Sequence, residues 1–125
     1  MIKVLFVEDD PDQIFMYESV FRKKGILLIS VDNGKDAIGM AIMDNPDLIL
    51  IDILLNKENG IDILEKLKKN EKTKNIPAVI FTNFDKEDLR KKSKELGAID
   101  YIVKSDTVPD EVAEKIKKLL ENIKK

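Results

Sequence analysis

The chain has 125 residues, the size of one ordinary domain, and 43% of them are hydrophobic. Its 22 basic and 24 acidic side chains leave a net charge of −2, so direct binding of nucleic acid or insertion into a membrane is not expected. The absence of Cys and His excludes disulfides, thiolate catalysis, imidazole metal ligands and His-based triads. The first apolar run, residues 2–7, is too short for a signal peptide or a membrane span, and a cytoplasmic location is expected.

Five short runs rich in apolar and β-branched residues are predicted to be strands. They span residues 2–7, 26–31, 48–53, 77–82 and 99–103. Three of these runs are almost continuously apolar, which is typical of strands that are covered on both faces. The first and third runs carry acidic residues at or near their carboxyl ends.

Segments with helical periodicity separate the predicted strands. Gly25 and Gly97 are expected to end the first and fourth helices. Thr107 and Asp110 resemble a capping box at the start of the last helix, and Asp85 is predicted to cap the fourth. Strands that alternate with helices of about 10 to 15 residues indicate β-α-β units with right-handed crossovers. The sequence therefore predicts an α/β fold: one (βα)5 domain over residues 1–125, with a doubly wound parallel sheet.

Carboxylates follow the first and third predicted strands. Ligands of such sheets bind beyond the carboxyl ends of the strands, where the strand order reverses. Glu8, Asp9 and Asp10 follow the first strand, where a solvated loop or a helix N-terminus is an ordinary explanation for them. Asp52 interrupts an apolar run, in which an unpaired carboxylate would be costly, and a functional role is favoured. Converging oxygen ligands suit a hard cation such as Mg²⁺.

A hydroxyl and a cation are predicted at the same edge of the sheet. Thr82 ends the fourth predicted strand and Lys104 ends the fifth. Each alone has an ordinary structural interpretation, a cap or a solvated side chain. Together with the acids they supply what phosphoryl transfer needs: positive charge to neutralise phosphoryl oxygens and a donor to hold one of them. The acceptor in this interpretation is Asp52, which would form an aspartyl phosphate.

These motifs resemble a known family, the receiver domains of bacterial two-component response regulators. The motifs are VEDDP (7–11), LILID (48–52) with Gly60 eight residues on, VIFT (79–82) and Lys104 preceded by Asp100-Tyr101. The resemblance covers the whole chain and is best to single-domain, chemotaxis-type receivers. It implies a five-stranded sheet of flavodoxin-like order 2-1-3-4-5.

The resemblance implies a role for each matching residue. Asp52 would accept a phosphoryl group from the phosphohistidine of a sensor histidine kinase or a histidine phosphotransfer protein. Asp9 would bind Mg²⁺ directly, and Glu8 would hold it mainly through water. Asp52 itself and the backbone carbonyl of Leu54 would complete the protein ligands, with Mn²⁺ as a substitute ion. Lys104 would pair with the phosphoryl oxygens.

The resemblance also implies a switch. Thr82 would bond a phosphoryl oxygen when its loop closes, and Tyr101 would turn inward as Thr82 moves. A downstream protein would dock on the face formed by the fourth helix, fifth strand and fifth helix, and the chain would be a monomer or a phosphorylation-dependent dimer. The protein would catalyse only its own phosphorylation and dephosphorylation and would otherwise not be an enzyme. Asp10 has no implied role, and a helix N-terminal acid is the preferred interpretation.

The chain departs from the family pattern at three positions. Ser105 follows Lys104 where Pro is usual, so the isomer of the Lys104–Ser105 peptide, typically cis in the family, is left open. Asn56 stands where a Pro is common, which is expected to loosen the 53–59 loop. Asn83 replaces a small residue after Thr82 and is placed to crowd or hydrogen-bond an attacking water.

Three other functions are alternatives to that of a phosphoacceptor domain. A phosphate-independent, receiver-like interaction module stays open because of Ser105 and Asn83. A flavin-binding domain needs a Ser, Thr and Gly cradle after the first strand, where this chain has acids that repel phosphate. A haloacid-type phosphatase would use Asp10 and Asp12 after the first strand and would leave Asp52 without a role.

Overall fold

Five strands and five α-helices alternate along the chain in the computed structural model, which describes residues 1–124. The strands are β1 (Ile2–Val7), β2 (Ile26–Val31), β3 (Leu48–Ile51), β4 (Ala78–Thr82) and β5 (Asp100–Val103). The helices are α1 (Pro11–Lys23), α2 (Gly34–Asp44), α3 (Gly60–Lys69), α4 (Glu87–Glu95) and α5 (Pro109–Lys124). A 3₁₀ turn, Lys104–Asp106, lies between β5 and α5.

The strands form one parallel sheet in the order β2-β1-β3-β4-β5, which confirms the predicted doubly wound architecture. Apolar side chains of α1 and α5 cover one face of the sheet, and those of α2, α3 and α4 cover the other. The central strand β3 is fully buried, because both of its faces are covered and both of its edges are paired. Within residues 1–124, no helix combines the length and the apolar character needed to cross a membrane.

The observed elements differ from the predicted ones mainly at their ends. β3 stops at Ile51, two residues earlier than predicted, because the Asp52 carboxylate accepts the N–H of Leu54 (3.2 Å) and turns the chain out of the sheet. The phosphoacceptor candidate therefore follows the strand and does not lie within it. Gly25 and Gly97 adopt positive φ angles of 81° and 104° directly after α1 and α4, as predicted.

Two of the predicted helix caps are wrong. The last helix begins at Pro109, and the carboxylate that reaches back, to the N–H of Val108 (3.2 Å), is that of Glu111 and not that of Asp110. Thr107 instead donates its hydroxyl to the Lys104 carbonyl. Asp85 does not cap α4, because the helix begins later, at Glu87, and the Asp85 carboxylate pairs with the Arg90 guanidinium (2.8 Å).

Candidate functional site

The backbone brings Glu8 and Asp52 to adjacent positions at the carboxyl ends of β1 and β3. The N–H of Asp52 donates to the Val7 carbonyl (3.1 Å), which continues the β1–β3 pairing one step beyond the strand. The N–H of Glu8 donates to the Val31 carbonyl on the other side (2.9 Å). The site therefore lies where the strand order reverses, as expected for a doubly wound sheet.

Lys104 joins these two carboxylates in a buried ionic cluster. Its Nζ lies 2.5 Å from Glu8 Oε1 and 2.8 Å from Asp52 Oδ2. Glu8, Asp52 and Lys104 are only 1%, 6% and 7% exposed. Removing one partner of a buried pair leaves an uncompensated charge, so the cluster depends on all three groups. The structure thus brings together three of the predicted site residues, which directly follow β1, β3 and β5.

Gln13 is a fourth member of this cluster, and the sequence analysis missed it. Its side-chain Oε1 lies 2.5 Å from Lys104 Nζ, so the ammonium donates to three oxygens at once. Its Nε2 donates to Asp10 Oδ2 (3.3 Å), and Asp10 caps α1 by accepting the N–H of Asp12, which confirms its predicted role. A Gln in a first helical turn carries no signal of such a contact, because the partner lies 91 residues away in the chain.

Burial governs the protonation of Glu8. Desolvation of the charged form raises the pKa of the Glu8 carboxyl from its ordinary 4.5 to about 7. The hydrogen bond from Lys104 opposes this rise, and the neighbouring Asp52 carboxylate adds to it. In the absence of a metal, Glu8 therefore takes up a proton close to neutral pH.

Asp9 lies at the mouth of the cluster and is half-buried. Its Oδ2 accepts the backbone N–H of Asn56 (2.6 Å), which ties the loop after β3 to the loop after β1. Asn56 stands where the family commonly has Pro, and proline has no N–H to offer. The predicted loosening of the 53–59 loop is therefore opposed by a contact that only a non-proline residue can make.

The oxygen atoms at this site fit a magnesium ion. Within the described part of the chain, no three acidic side chains form a cluster able to chelate a metal by themselves. Mg²⁺ usually takes only one or two protein carboxylates and keeps several waters. Asp9, Asp52 and the Leu54 carbonyl, the ligands predicted from the sequence, would make up such a limited set. Both oxygens of Glu8 are engaged, one by Lys104 and the other by the N–H groups of Asp9 (3.0 Å) and Asp10 (3.3 Å), which fits a role through water.

Gly60 fixes the loop that carries these ligands. A Cβ at this position would lie 2.0 Å from the Asp52 carbonyl oxygen, so any side chain would displace the backbone. The N–H of Gly60 donates to the Ile53 carbonyl (2.9 Å), and Asn59 caps α3 by accepting the N–H of Ile61 (2.8 Å). The start of α3 is thereby held against the strand end at which Asp52 lies. This contact gives a physical reason for the glycine in the sequence motif.

The hydroxyl groups of Thr82 and Tyr101 both bond the backbone of Phe84. Thr82 is 1% exposed, and its hydroxyl accepts the N–H of Phe84 (3.3 Å). Tyr101 is 9% exposed, and its hydroxyl donates to the Phe84 carbonyl. The guanidinium of Arg90 lies 4.8 Å from the centre of the Tyr101 ring and covers it from solvent. Tyr101 thus lies in an inward, nearly buried position.

The other two departures from the family pattern meet in the structure. Within residues 1–124 all peptide bonds are trans, including Lys104–Ser105. The backbone N–H of Ser105 donates to the side-chain Oδ1 of Asn83 (2.9 Å), so the side-chain amide oxygen of Asn83 is already engaged. This contact joins two positions that are 22 residues apart, and no pattern in the sequence predicts it.

The doubly wound parallel sheet makes this a flavodoxin-like α/β domain, and the buried Asp–Lys–Glu cluster lies at the carboxyl edge, where such domains bind their ligands. Comparison with known proteins identifies the family: the model of the response regulator receiver domain matches residues 4–117, and the chain belongs to this family.

Two relatives are single chains of similar length. Protein PilH of Pseudomonas aeruginosa is 32% identical over 104 residues, which cover 83% of this chain and 86% of PilH. Sporulation initiation phosphotransferase F of Bacillus subtilis is 32% identical over 118 residues, which cover 94% of this chain and 93% of the relative. Among solved structures, the BeF3-activated receiver domain of Klebsiella pneumoniae RstA matches with a TM-score of 0.83 and 29% identity, over 94% of this chain and 97% of that one. The chain is a receiver domain of the two-component response regulator type.

Proposed function

We propose that Asp52 accepts a phosphoryl group from the phosphohistidine of a sensor histidine kinase or a histidine phosphotransfer protein. The observation that carries this proposal is the ion pair of Lys104 with Asp52, buried at the edge of the sheet. In the transfer, an Asp52 carboxylate oxygen forms a bond to phosphorus as the bond from phosphorus to the histidine nitrogen breaks. The electron pair of the broken bond stays with the imidazole, which takes up a proton.

Each neighbouring group has a task in this transfer. Lys104, already 2.8 Å from Asp52, neutralises charge on the phosphoryl oxygens, and the Thr82 hydroxyl donates to one of them. Asp9, Asp52 and the Leu54 carbonyl would hold Mg²⁺, or Mn²⁺ in its place, with Glu8 acting through water. The bound ion would supply further positive charge for the same oxygens.

The phosphorylated state ends by hydrolysis. Water attacks phosphorus, the bond from phosphorus to the Asp52 oxygen breaks, and the carboxylate is restored as inorganic phosphate leaves. Transfer and hydrolysis pass through similar transition states, so Lys104 and Thr82 serve both steps. The domain catalyses only these reactions of its own aspartate, and we do not expect it to turn over another substrate.

Phosphorylation is read out on the face formed by α4, β5 and α5. When the Thr82 hydroxyl turns to the phosphoryl group, it no longer accepts the hydrogen bond from the N–H of Phe84. The carbonyl of the same Phe84 accepts the hydrogen bond from the Tyr101 hydroxyl. The change therefore reaches Tyr101 and the covering Arg90, where a cytoplasmic protein partner would dock, either on a monomer or on a phosphorylation-dependent dimer. Nucleic acid and membranes are not expected as direct partners. Amide chemical-shift changes confined to the Asp52 loop, with residues 84–116 unchanged, would contradict this readout.

One observation favours a second candidate, a phosphate-independent interaction module. Asn83 and Ser105, which both depart from the family pattern, bond to each other (2.9 Å), so the loops after β4 and β5 are joined by a contact outside that pattern. For such a module, substitution of Asp52 would leave partner binding unchanged, whereas the first proposal expects a loss of phosphate-enhanced binding.

The proposal is tested by intact-mass spectrometry after incubation with Mg²⁺ and acetyl phosphate. Wild type should gain one phosphoryl group, EDTA should prevent the gain, and Asp52→Asn should abolish it. Asp47→Asn, near the start of the same strand, is the matched control and should still be modified. If acetyl phosphate and a panel of phosphohistidine kinases both left the wild type unmodified, the proposal would be overturned in favour of the interaction module.

A further inference from the structure

A side chain joins the two loops that follow β4 and β5. The last paired residues of these strands are Thr82 and Val103. Just beyond them, the Oδ1 atom of Asn83 accepts the backbone N–H of Ser105 (2.9 Å). The link between the two strands therefore continues past the end of the sheet, with a side chain in place of a backbone carbonyl.

The joined residues directly follow Thr82 and Lys104, the two groups to which the proposed function assigns contacts with the phosphoryl oxygens. Asn83 comes after Thr82, which is 1% exposed, and Ser105 comes after Lys104, which is 7% exposed. The turn that holds Ser105 is itself closed, because the Lys104 carbonyl accepts both the N–H and the hydroxyl of Thr107 (3.3 Å each). A displacement at Asn83 is thus passed to the whole turn and to the Lys104 backbone.

We propose that Asn83 and Ser105 form a strap that holds Thr82 and Lys104 at a fixed separation and so positions both for the phosphoryl group on Asp52. This inference rests on the proposed function and names two positioning residues for it. Neither residue is expected to touch the phosphoryl group through the atoms of the strap, since the Oδ1 atom and the N–H are engaged with each other.

The strap should act on rate and not on stability. Asn83 and Ser105 are both exposed, so water competes for the Oδ1 atom and for the N–H, and the net gain in folding free energy is small. Positioning is different, because two groups must meet the same phosphoryl oxygens, and small misplacements of such groups cost large factors in rate. Loss of the strap should therefore slow phosphorylation by about tenfold.

The test uses variants of the full chain that differ in one partner of the strap. Asn83→Leu keeps a branched side chain of similar size but removes the acceptor. Ser105→Ala keeps the backbone N–H and is the matched control, whereas Ser105→Pro removes that N–H. For each variant we would measure hydrogen exchange of the Ser105 amide, the phosphorylation rate with acetyl phosphate at saturating Mg²⁺, the Mg²⁺ dissociation constant and the midpoint of thermal unfolding.

The expected result is specific to the strap. Asn83→Leu should lose protection of the Ser105 amide and slow phosphorylation about tenfold, at unchanged Mg²⁺ affinity and thermal stability. Ser105→Ala should match wild type. In the Ser105→Pro background, Asn83→Leu should have no further effect on rate, since the donor is already gone. If Ser105→Pro does not fold, Asn83→Leu and Ser105→Ala decide the question by themselves.

Three results would overturn the inference. Unchanged protection of Ser105 in Asn83→Leu would mean that no strap forms in solution. Lost protection with an unchanged rate would mean that the strap positions nothing. Equal slowing by Asn83→Leu with and without Ser105→Pro would mean that Asn83 acts by another route. A wild type that takes no phosphate would overturn the proposed function instead, and the exchange of Ser105 would still decide whether the strap exists.

Discussion

The buried carboxyl of Glu8 should make the stability of the metal-free protein depend on pH. Its pKa in the folded protein is about 7, and its ordinary value is 4.5, so the folded state binds this proton more tightly than the unfolded chain does. The resulting stabilisation of the folded protein is complete below pH 4.5 and is lost as the pH rises through about 7. Glu8→Gln has no proton to release and should therefore lack this slope.

The size of the effect follows from the two pKa values. Each pKa unit corresponds to about 1.36 kcal/mol of linked free energy. Between pH 5.5 and pH 8 the Glu8 carboxyl of the folded protein loses almost all of its bound proton. Wild type should therefore lose about 2 kcal/mol of unfolding free energy through Glu8 in this interval. Other carboxyls titrate as well, and for this reason only the difference between wild type and Glu8→Gln carries the prediction.

Urea unfolding at several pH values between 5.5 and 8, in EDTA, measures this difference. Mg²⁺ must be absent because a bound cation would favour the ionised carboxylates. Glu121→Gln removes an exposed carboxylate on α5 and controls for the change in net charge. A difference between wild type and Glu8→Gln that is flat with pH, or that grows in favour of wild type as pH rises, would refute the argument that burial dominates at Glu8.

Three further outcomes are expected. Gly60→Ala should destabilise the protein by roughly 3 kcal/mol or more, at or above the top of the usual range for overpacking, since the new methyl group would meet a backbone carbonyl. Gly39→Ala, where a Cβ meets no atom within 4 Å, should instead be neutral or stabilising in the same urea titration. Tyr101→Phe should cost about 1 kcal/mol through the lost bond to the Phe84 carbonyl, and equal stability by calorimetry would contradict that bond. Mg²⁺ at millimolar concentration should raise the thermal midpoint of wild type, and no shift would argue against the ion site.

Periodicity predicted the architecture because the hydrophobic pattern determines which faces are buried. The nearly continuous apolar runs of β3 and β4 required cover on both sides, and the structure has helices on both sides. Asp52 stood out for the same reason, since a carboxylate within an apolar run must find a partner. Lys104 is that partner, across 52 residues of chain.

The ends of the elements were harder to predict because several polar residues near each end compete for the same backbone groups. Asp is a residue type that commonly caps helices, yet the carboxylate of Asp85 forms an ion pair with Arg90 instead. At the start of α5, Glu111 takes the position expected for Asp110, one residue later. Single hydrogen bonds of about 1 kcal/mol decide these alternatives, and a local pattern does not resolve differences of that size.

The contacts around the site could not be predicted from the sequence, for a different reason. Gln13 on Lys104, the Asn56 amide on Asp9 and Asn83 on Ser105 join segments that are distant in the sequence. Gln13, Asn56 and Asn83 belong to no motif, and each is of a type that is common in loops and helix starts. Only the assembled sheet brings their segments together, so the structure adds to the site residues that no local pattern predicts.

The most direct test of the central claim is to locate the phosphoryl group on the chain. After incubation with acetyl phosphate and Mg²⁺, borohydride reduction converts an aspartyl phosphate to homoserine, and peptide mass spectrometry then identifies the modified position. The proposed function predicts homoserine at residue 52 alone, in a metal-dependent yield. Homoserine at position 9, 10 or 47, or none anywhere although acetyl phosphate is consumed, would contradict the claim that Asp52 is the phosphoacceptor.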